Sequence, residues 1–120
     1  MALTEAIVRV CVVCHEASLT GAPRIGFDIA AALAERHETT LLAKLGGPLI
    51  DLPRYAVLRD AYRCVNSSHL VCDRTYRERV DQAMSVLEEL RPDVLYVNSV
   101  ASGEWCEAGA RAGIPVALHT

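Results

Sequence analysis

Short apolar runs and longer apolar repeats follow one another along most of the chain. The runs are rich in β-branched residues, which is typical of strands that a parallel sheet buries on both faces. The repeats place apolar side chains on one side of a helix, as Ile25, Ile29, Ala32 and Leu33 are expected to do in the first one. The predicted strands cover residues 7–13, 39–43, 55–58, 94–97 and 115–119, and the predicted helices cover 22–36, 74–90 and 102–112.

This order of elements predicts an α/β domain. We expect a Rossmann-like, three-layer, doubly wound parallel sheet of about five strands in the order 3-2-1-4-5. The 120 residues are enough for one domain, residues 1–120, with its own core. The first strand is then central and borders the fourth strand at the switch point, where ligands collect. Residues 60–73 are expected to be irregular.

Polar side chains follow three of the predicted strands. Because the carboxyl ends of parallel strands meet at one edge, these side chains are expected to converge in one crevice. The first helix starts at the same edge, and its N–H groups and dipole favour a bound anion. The residues are His15 and Glu16 after the first strand, Asn98 and Ser99 after the fourth, and His119 at the end of the fifth.

Charge and composition narrow the class of protein. A net charge of −3, with no basic run between aromatic residues, argues against a nucleic-acid partner. The N-terminus lacks the basic region of a signal peptide, and no apolar run approaches the ~20 residues that span a bilayer. Two of the five cysteines lie in the first strand, so a reduced, cytoplasmic protein is expected.

Two partial motifs could suggest a haem or a metal, and both fail. Cys11-Val-Val-Cys14-His15 matches the haem-attachment pattern, but it lies in a strand predicted to be buried. Cys64, His69 and Cys72 lack the usual zinc-ligand spacing and a fourth ligand. No metal and no cofactor are therefore expected.

Two nucleotide-binding patterns also fail. Gly21 and Gly26 have the spacing of a P-loop, but Phe27-Asp28 replaces the lysine and hydroxyl residue that bind phosphate and magnesium. The G-x-G-x-x-G dinucleotide fingerprint is missing from the sequence. The second strand also ends at Lys44, where an NAD site would need an acid for the ribose.

An ordered set of stretches carries a family resemblance. The set consists of the first strand with His15-Glu-Ala-Ser-Leu-Thr-Gly-Ala-Pro-Arg24, then residues 30–42, then Arg91-Pro-Asp-Val-Leu-Tyr-Val-Asn-Ser99, then Gly113-Ile-Pro-Val-Ala-Leu-His119. It resembles the first strand and glycine loop, the first helix and second strand, and the fourth and fifth strands of the GT-B-fold glycosyltransferases of family 4, the glycosyl transferases group 1. The resemblance covers nearly the whole chain except about residues 51–73.

The resemblance implies an enzyme with two Rossmann-like domains facing a cleft. This chain would be the N-terminal, acceptor-side domain, and a C-terminal domain would hold most of the nucleotide-sugar donor. The sugar would pass to a glycan or lipid acceptor, and peripheral membrane association of the parent protein is a further expectation. No metal or other cofactor is implied.

The resemblance also assigns site residues. Gly21 matches the loop glycine whose backbone lies near the donor phosphates and the acceptor, and Thr20 stands where the family often has another glycine. His119 matches the histidine that reaches the donor sugar, and it is the catalytic candidate. The candidate substrate-binding residues are Glu16, Thr20, Gly21, Asn98 and Ser99.

The length of the chain is a departure from the family. The sequence contains no donor domain and no acidic donor-binding motif, so a truncated N-terminal domain, inactive by itself, is expected. Its fifth strand would be an apolar sheet edge, which predicts a homodimer or aggregation.

Two other classes of function are weighed against the glycosyltransferase. A non-catalytic binding or signalling module, such as a receiver domain, would need an acidic cluster; only Glu16 and Asp60 fit, and His119 stands where a lysine is needed. A nucleotide-dependent oxidoreductase or epimerase is disfavoured by the missing glycine fingerprint.

Overall fold

The computed structural model describes residues 6–68 and 70–119. Its five strands form one parallel sheet in the order 3-2-1-4-5, which confirms the predicted Rossmann-like α/β fold. The strands are β1 (Arg9–Cys14), β2 (Glu38–Ala43), β3 (Tyr62–Cys64), β4 (Val94–Asn98) and β5 (Val116–His119), the α-helices are α1 (Gly21–Ala34), α2 (Tyr76–Leu90) and α3 (Gly103–Arg111), and the 3₁₀ helices are Pro48–Asp51, Pro53–Ala61 and Val100–Ser102.

The central strand β1 separates two apolar layers. Cys11 and Val13 face α2 and α3, whereas Val10, Val12 and Cys14 face α1 and the 3₁₀ helices that follow β2. None of these five residues is more than 4% exposed. Both faces of the strand are covered, which explains why its sequence is a continuous apolar run rather than an alternating one.

The predicted third strand at residues 55–58 is wrong. This segment belongs to the 3₁₀ helix Pro53–Ala61, and the third strand is β3, which lies inside the segment predicted to be irregular. Tyr55 and Leu58 are buried whereas Val57 is 63% exposed. That three-residue spacing is the period of a 3₁₀ helix, and four residues were too few to distinguish it from a strand.

The buried face of α1 also differs from the predicted one. Ile25 was expected to face the core but is 46% exposed, and the helix instead buries Gly26, Phe27 and Ala30. At Gly26 the helix lies so close to the sheet that an added Cβ would be 2.9 Å from the Asn98 Nδ2 atom. The close approach at this glycine sets the rotation of α1.

Local sequence explains where α2 begins and where α3 ends. At the start of α2, Thr75 Oγ1 accepts from the Glu78 backbone N–H at 3.2 Å, and the Glu78 carboxylate accepts from the Thr75 N–H at 3.1 Å. Such a capping box satisfies two N–H groups that the helix leaves free. Gly113 has φ +73° just beyond α3, as expected for a glycine that ends a helix. Ser102 precedes α3 but its side chain makes no capping hydrogen bond.

Strand β5 lies at one edge of the sheet, as predicted. Its Leu118 is 46% exposed. Self-association through this edge stays a prediction. Among the residues described here, none of the helices combines the length and apolar character needed to span a bilayer.

Candidate functional site

The predicted site residues do not share one cavity at the carboxyl edge of the sheet: Glu16 lines one cavity, Asn98, Ser99 and His119 line another, and Thr20 and Gly21 line neither. The first, which we call the β1–β4 cavity, has a volume of about 270 Å³ and is lined by Ala22, Ile25, Asn98, Ser99, Val100 and His119. The second, which we call the β1–β2 cavity, has a volume of about 260 Å³ and is lined by His15, Glu16, Lys44, Leu45, Ser68, Leu70 and Ala101.

Asn98 organises the β1–β4 cavity. This residue is only 2% exposed, and its Nδ2 donates to the Ala22 carbonyl oxygen at 2.7 Å. Its Oδ1 is therefore the atom that faces His119 Nδ1, at 3.1 Å. An amide oxygen only accepts hydrogen bonds, so Nδ1 of His119 carries the proton. In the neutral imidazole, Nε2 is then an acceptor for a donor on a ligand.

Ser99 turns the chain sharply at the rim of the same cavity. Its φ is +94°, a backbone conformation that residues other than glycine rarely adopt. Its N–H donates to the His119 carbonyl oxygen at 2.7 Å, and its Oγ accepts from the Ala101 N–H at 3.2 Å. Backbone strain of this kind is concentrated at binding and catalytic sites.

The N-terminus of α1 borders the β1–β4 cavity through Ala22. Thr20 precedes the helix but gives it no side-chain cap, because its hydroxyl pairs with the Ser18 hydroxyl at 2.8 Å. The first turn carries no acidic residue. Gly21 is exposed, and a Cβ added there would have no described atom within 4 Å. The backbone N–H groups of this turn are therefore accessible to an anion.

Cys14 ends β1 next to Asn98, which lines the β1–β4 cavity. It is fully buried and paired in register with Asn98 of β4. Burial raises the pKa of the Cys14 thiol to about 12, although a hydrogen bond with Asn98 acts in the opposite direction. Burial also raises the pKa of Cys11 to about 12. Both cysteines therefore pack as small apolar residues, as expected from the run in which they occur.

The β1–β2 cavity contains a buried ion pair that the sequence did not reveal. Lys44 pairs with the carboxylate of Glu104, and their side chains are 5% and 4% exposed. Lys44 Nζ also donates to the Ala101 carbonyl oxygen at 2.8 Å. The sequence gives one indication that Lys44 has a special role: it is the only lysine and directly follows the second strand. No sequence pattern distinguishes Glu104 from the other acidic residues of the chain.

His15 and Glu16 form a second polar pair in the β1–β2 cavity. His15 Nε2 lies 3.0 Å from Glu16 Oε1, and both side chains are about one-third exposed or less. Because a carboxylate only accepts, Nε2 is the protonated ring nitrogen. His15 Nδ1 is buried and has no hydrogen-bond partner among the described residues.

The zinc candidates, and Asp60 of the receiver-domain alternative, lie outside the two cavities or outside the described residues. Cys64 donates to Asn66 Oδ1 at 3.3 Å, while His69, the middle member of the rejected zinc set, lies outside the described residues. Asp60 lies in the 3₁₀ helix that precedes β3. It is therefore near the amino end of that strand, not at the carboxyl edge with Glu16, where a receiver domain would need it.

A third cavity, of about 420 Å³, contains none of the predicted site residues. Its lining includes Arg91 and Pro92, which precede β4, and Ile114, which precedes β5. It therefore lies near the amino ends of these strands, between α2 and α3.

Comparison with known proteins supports the fold only. No family model and no curated protein matches the sequence. The chain is similar to a crystal structure of the C-terminal domain (residues 83–215) of PF1911 hydrogenase from Pyrococcus furiosus, with a TM-score of 0.66 and 15% identity over 99% of this chain and 96% of that one. A second crystal structure of that domain (residues 78–226) gives a TM-score of 0.60 and 14% identity over 100% and 97% of the two chains.

Proposed function

We propose that this chain is the acceptor-side domain of a glycosyltransferase that moves a sugar from a nucleotide-sugar donor to a glycan or lipid acceptor. The observation that carries the proposal is the junction of the uncapped α1 N-terminus with the Asn98–His119 pair in one cavity. The resemblance of the strand ends to family 4 glycosyltransferases supports the same assignment.

The α1 N-terminus supplies the first part of the chemistry. Transfer of a sugar from a nucleotide-sugar releases a nucleoside diphosphate, so negative charge builds on the leaving phosphate. Free N–H groups and the helix dipole stabilise such charge without a metal ion. The open backbone at Gly21 lets a phosphate approach closely. A second, donor-binding domain would hold the rest of the nucleotide in this proposal.

His119 supplies the second part. With Nδ1–H held by Asn98, its Nε2 accepts a hydrogen bond from a sugar hydroxyl and so orients the donor sugar. Asn98 acts through His119, because its own amide is fully engaged between that imidazole and the Ala22 carbonyl. Asn98 is therefore a positioning residue in this mechanism.

Nucleotide binding by the 120-residue chain tests the proposal. We would titrate ¹⁵N-labelled chain with uridine and guanosine diphosphates and their sugar conjugates, and follow the amide and imidazole resonances. We expect the Gly21, Ala22 and His119 signals to shift, with dissociation constants on the order of 1 mM, because only half of the site is present. His119→Ala should abolish the additional affinity that the attached sugar confers.

His37→Ala is the matched control. His37 Nδ1 accepts from the Val8 N–H at 3.3 Å, next to the start of β1, and so lies at the opposite edge of the sheet. Its loss should leave nucleotide-sugar binding unchanged. Failure of every nucleotide to shift the α1 N-terminal signals would refute the proposal and favour the alternative, a non-catalytic α/β binding or signalling module.

A further inference from the structure

The β1–β2 cavity differs from the β1–β4 cavity in its position and in the residues that line it. Its volume of about 260 Å³ is slightly below the ~300 Å³ at which small-molecule pockets usually begin. A cavity of this size suits a single ring. Its polar residues come from loops that follow β1, β2 and β3, none of which lines the β1–β4 cavity.

The charges of the β1–β2 cavity disfavour an anion. Lys44 brings one positive charge, but Glu104 and Glu16 each bring a carboxylate, and His15 is already hydrogen-bonded to Glu16. Lys44, Glu104 and Glu16 together carry one net negative charge. A phosphate or carboxylate ligand would therefore be repelled, whereas an uncharged ligand would not.

The hydrogen-bonding groups of this cavity suit hydroxyls. An ammonium has three N–H donors, and the described contacts of Lys44, with Glu104 and the Ala101 carbonyl, use two of them. Glu16 offers carboxylate lone pairs, and the buried Nδ1 of His15 has no described partner. A hydroxyl both donates and accepts, so neighbouring hydroxyls could satisfy all three groups. A buried acceptor without a hydrogen bond destabilises the protein, so a ligand hydroxyl that donates to His15 Nδ1 makes the binding free energy more favourable.

Apolar side chains complete the site. Leu45 and Leu70 line the cavity beside the polar groups, and Leu70 is 69% exposed. A sugar ring has C–H faces as well as hydroxyls, so it can pack on a leucine while its hydroxyls meet the polar cluster. A small polyol without a ring would lack that contact.

We infer that the β1–β2 cavity binds one uncharged sugar ring through His15, Glu16 and Lys44. In the proposed function the phosphate and sugar of the donor lie at the β1–β4 cavity, on the other side of strand β1. Identification of the ring as the acceptor of the transfer rests on the proposed function, but the binding of the ring does not.

The test uses the full 120-residue chain with methyl α-glucopyranoside and methyl α-mannopyranoside as probes. We expect at least one of these glycosides to shift the His15 imidazole and the Leu70 amide signals while leaving His119 unchanged. Glu16→Gln preserves size but removes the charge, and should weaken binding about tenfold, as for a hydrogen bond to a charged group. Glu107→Gln, on the exposed side of α3, is the control and should have no effect.

The outcomes separate this inference from the proposed function. Glycoside shifts at His15 without any nucleotide shifts at the α1 N-terminus support the sugar site and refute the glycosyltransferase. Nucleotide shifts without glycoside shifts refute the sugar site alone. Preferential binding of inorganic phosphate at His15 would overturn the charge argument, and so would Glu16→Gln binding the glycoside as well as the unaltered chain.

Discussion

The two cavities at the carboxyl edge use their polar groups differently. In the β1–β4 cavity the side-chain amide of Asn98 links two groups: it donates to the Ala22 carbonyl oxygen in the first turn of α1 and accepts from His119. The β1–β2 cavity instead has charged side chains: Glu16 and Lys44 line it, and Lys44 forms an ion pair with Glu104. One cavity therefore has a helix terminus open to an anion, and the other has one carboxylate more than it has lysines.

The difference shows how one sheet edge can provide sites for two kinds of ligand. Strand β1 pairs with β2 on one side and with β4 on the other, so residues after Cys14 belong to one cavity while the start of α1 belongs to the other. In the two proposals a charged ligand and an uncharged ligand lie side by side at this edge.

Removal of Lys44 should have the largest effect on stability. Lys44→Met leaves the carboxylate of Glu104 buried without its cation, so we expect the free energy of unfolding to fall by about 3 kcal/mol. The double variant Lys44→Met/Glu104→Leu replaces the pair with apolar side chains and should recover to within about 1 kcal/mol of the unaltered chain. Urea unfolding followed by circular dichroism measures both values.

Arg111→Met is the control for the buried pair. Arg111 and Glu107 form an exposed pair on α3, with N···O 3.1 Å, so this change should cost less than about 0.5 kcal/mol. If Lys44→Met costs no more than Arg111→Met, the charges of the β1–β2 cavity are not buried and the contrast between the cavities fails.

A methyl group added at Gly26 should disturb the β1–β4 cavity specifically. Its Cβ would clash with Cys14 Sγ and lie 2.9 Å from Asn98 Nδ2. We expect Gly26→Ala to lose about 1–2 kcal/mol of unfolding free energy, because overpacking outweighs the helix propensity gained. It should also shift the His119 imidazole signals, since Asn98 must move.

Gly21→Ala provides the comparison within the same helix. No described atom lies within 4 Å of the added Cβ, so the free energy of unfolding should stay within about 0.5 kcal/mol or rise slightly. Equal losses for the two alanine variants would mean that α1 does not approach Asn98 closely, and the geometry of the β1–β4 cavity would need revision.

Thiol labelling tests whether strand β1, which lies between β2 and β4, is closed to solvent. Cys11 and Cys14, with pKa values raised by burial to about 12, should resist iodoacetamide at pH 8, whereas the partly exposed Cys64 and Cys72 should react. Peptide mass spectrometry over time measures each rate. Modification of Cys14 as fast as Cys64 would show that solvent reaches this strand.

The raised pKa values of Cys11 and Cys14 predict that the folded chain is less stable at alkaline pH. Their pKa is higher in the folded chain than in the unfolded chain, so the folded form retains protons that the unfolded form releases. The resulting stability is present below about pH 9 and is lost as the pH rises from the ordinary value of 9.0 towards about 12. The unfolding free energy should therefore be lower at pH 10 than at pH 8.

Much of the fold follows from local patterns in the sequence. The apolar run of β1 indicated a strand covered on both faces, because such a strand must be apolar throughout. Together with the alternation of strands and helices, it predicted the observed parallel sheet. The Gly113 helix end was predictable for a similar local reason. Residues 55–58 were misassigned because a four-residue apolar stretch has no decisive period, and only packing against α1 fixed the 3₁₀ helix.

The sequence by itself determined which residues lie at the carboxyl edge of the sheet, since each strand end is a local property of the chain. Only the tertiary structure decided that His119 pairs with Asn98 in one cavity while His15 and Glu16 lie in another. It also brought Lys44 to Glu104, 60 residues away along the chain. Such a pairing depends on the strand order and the rotation of helices, and these are set by packing between distant elements rather than by any local pattern.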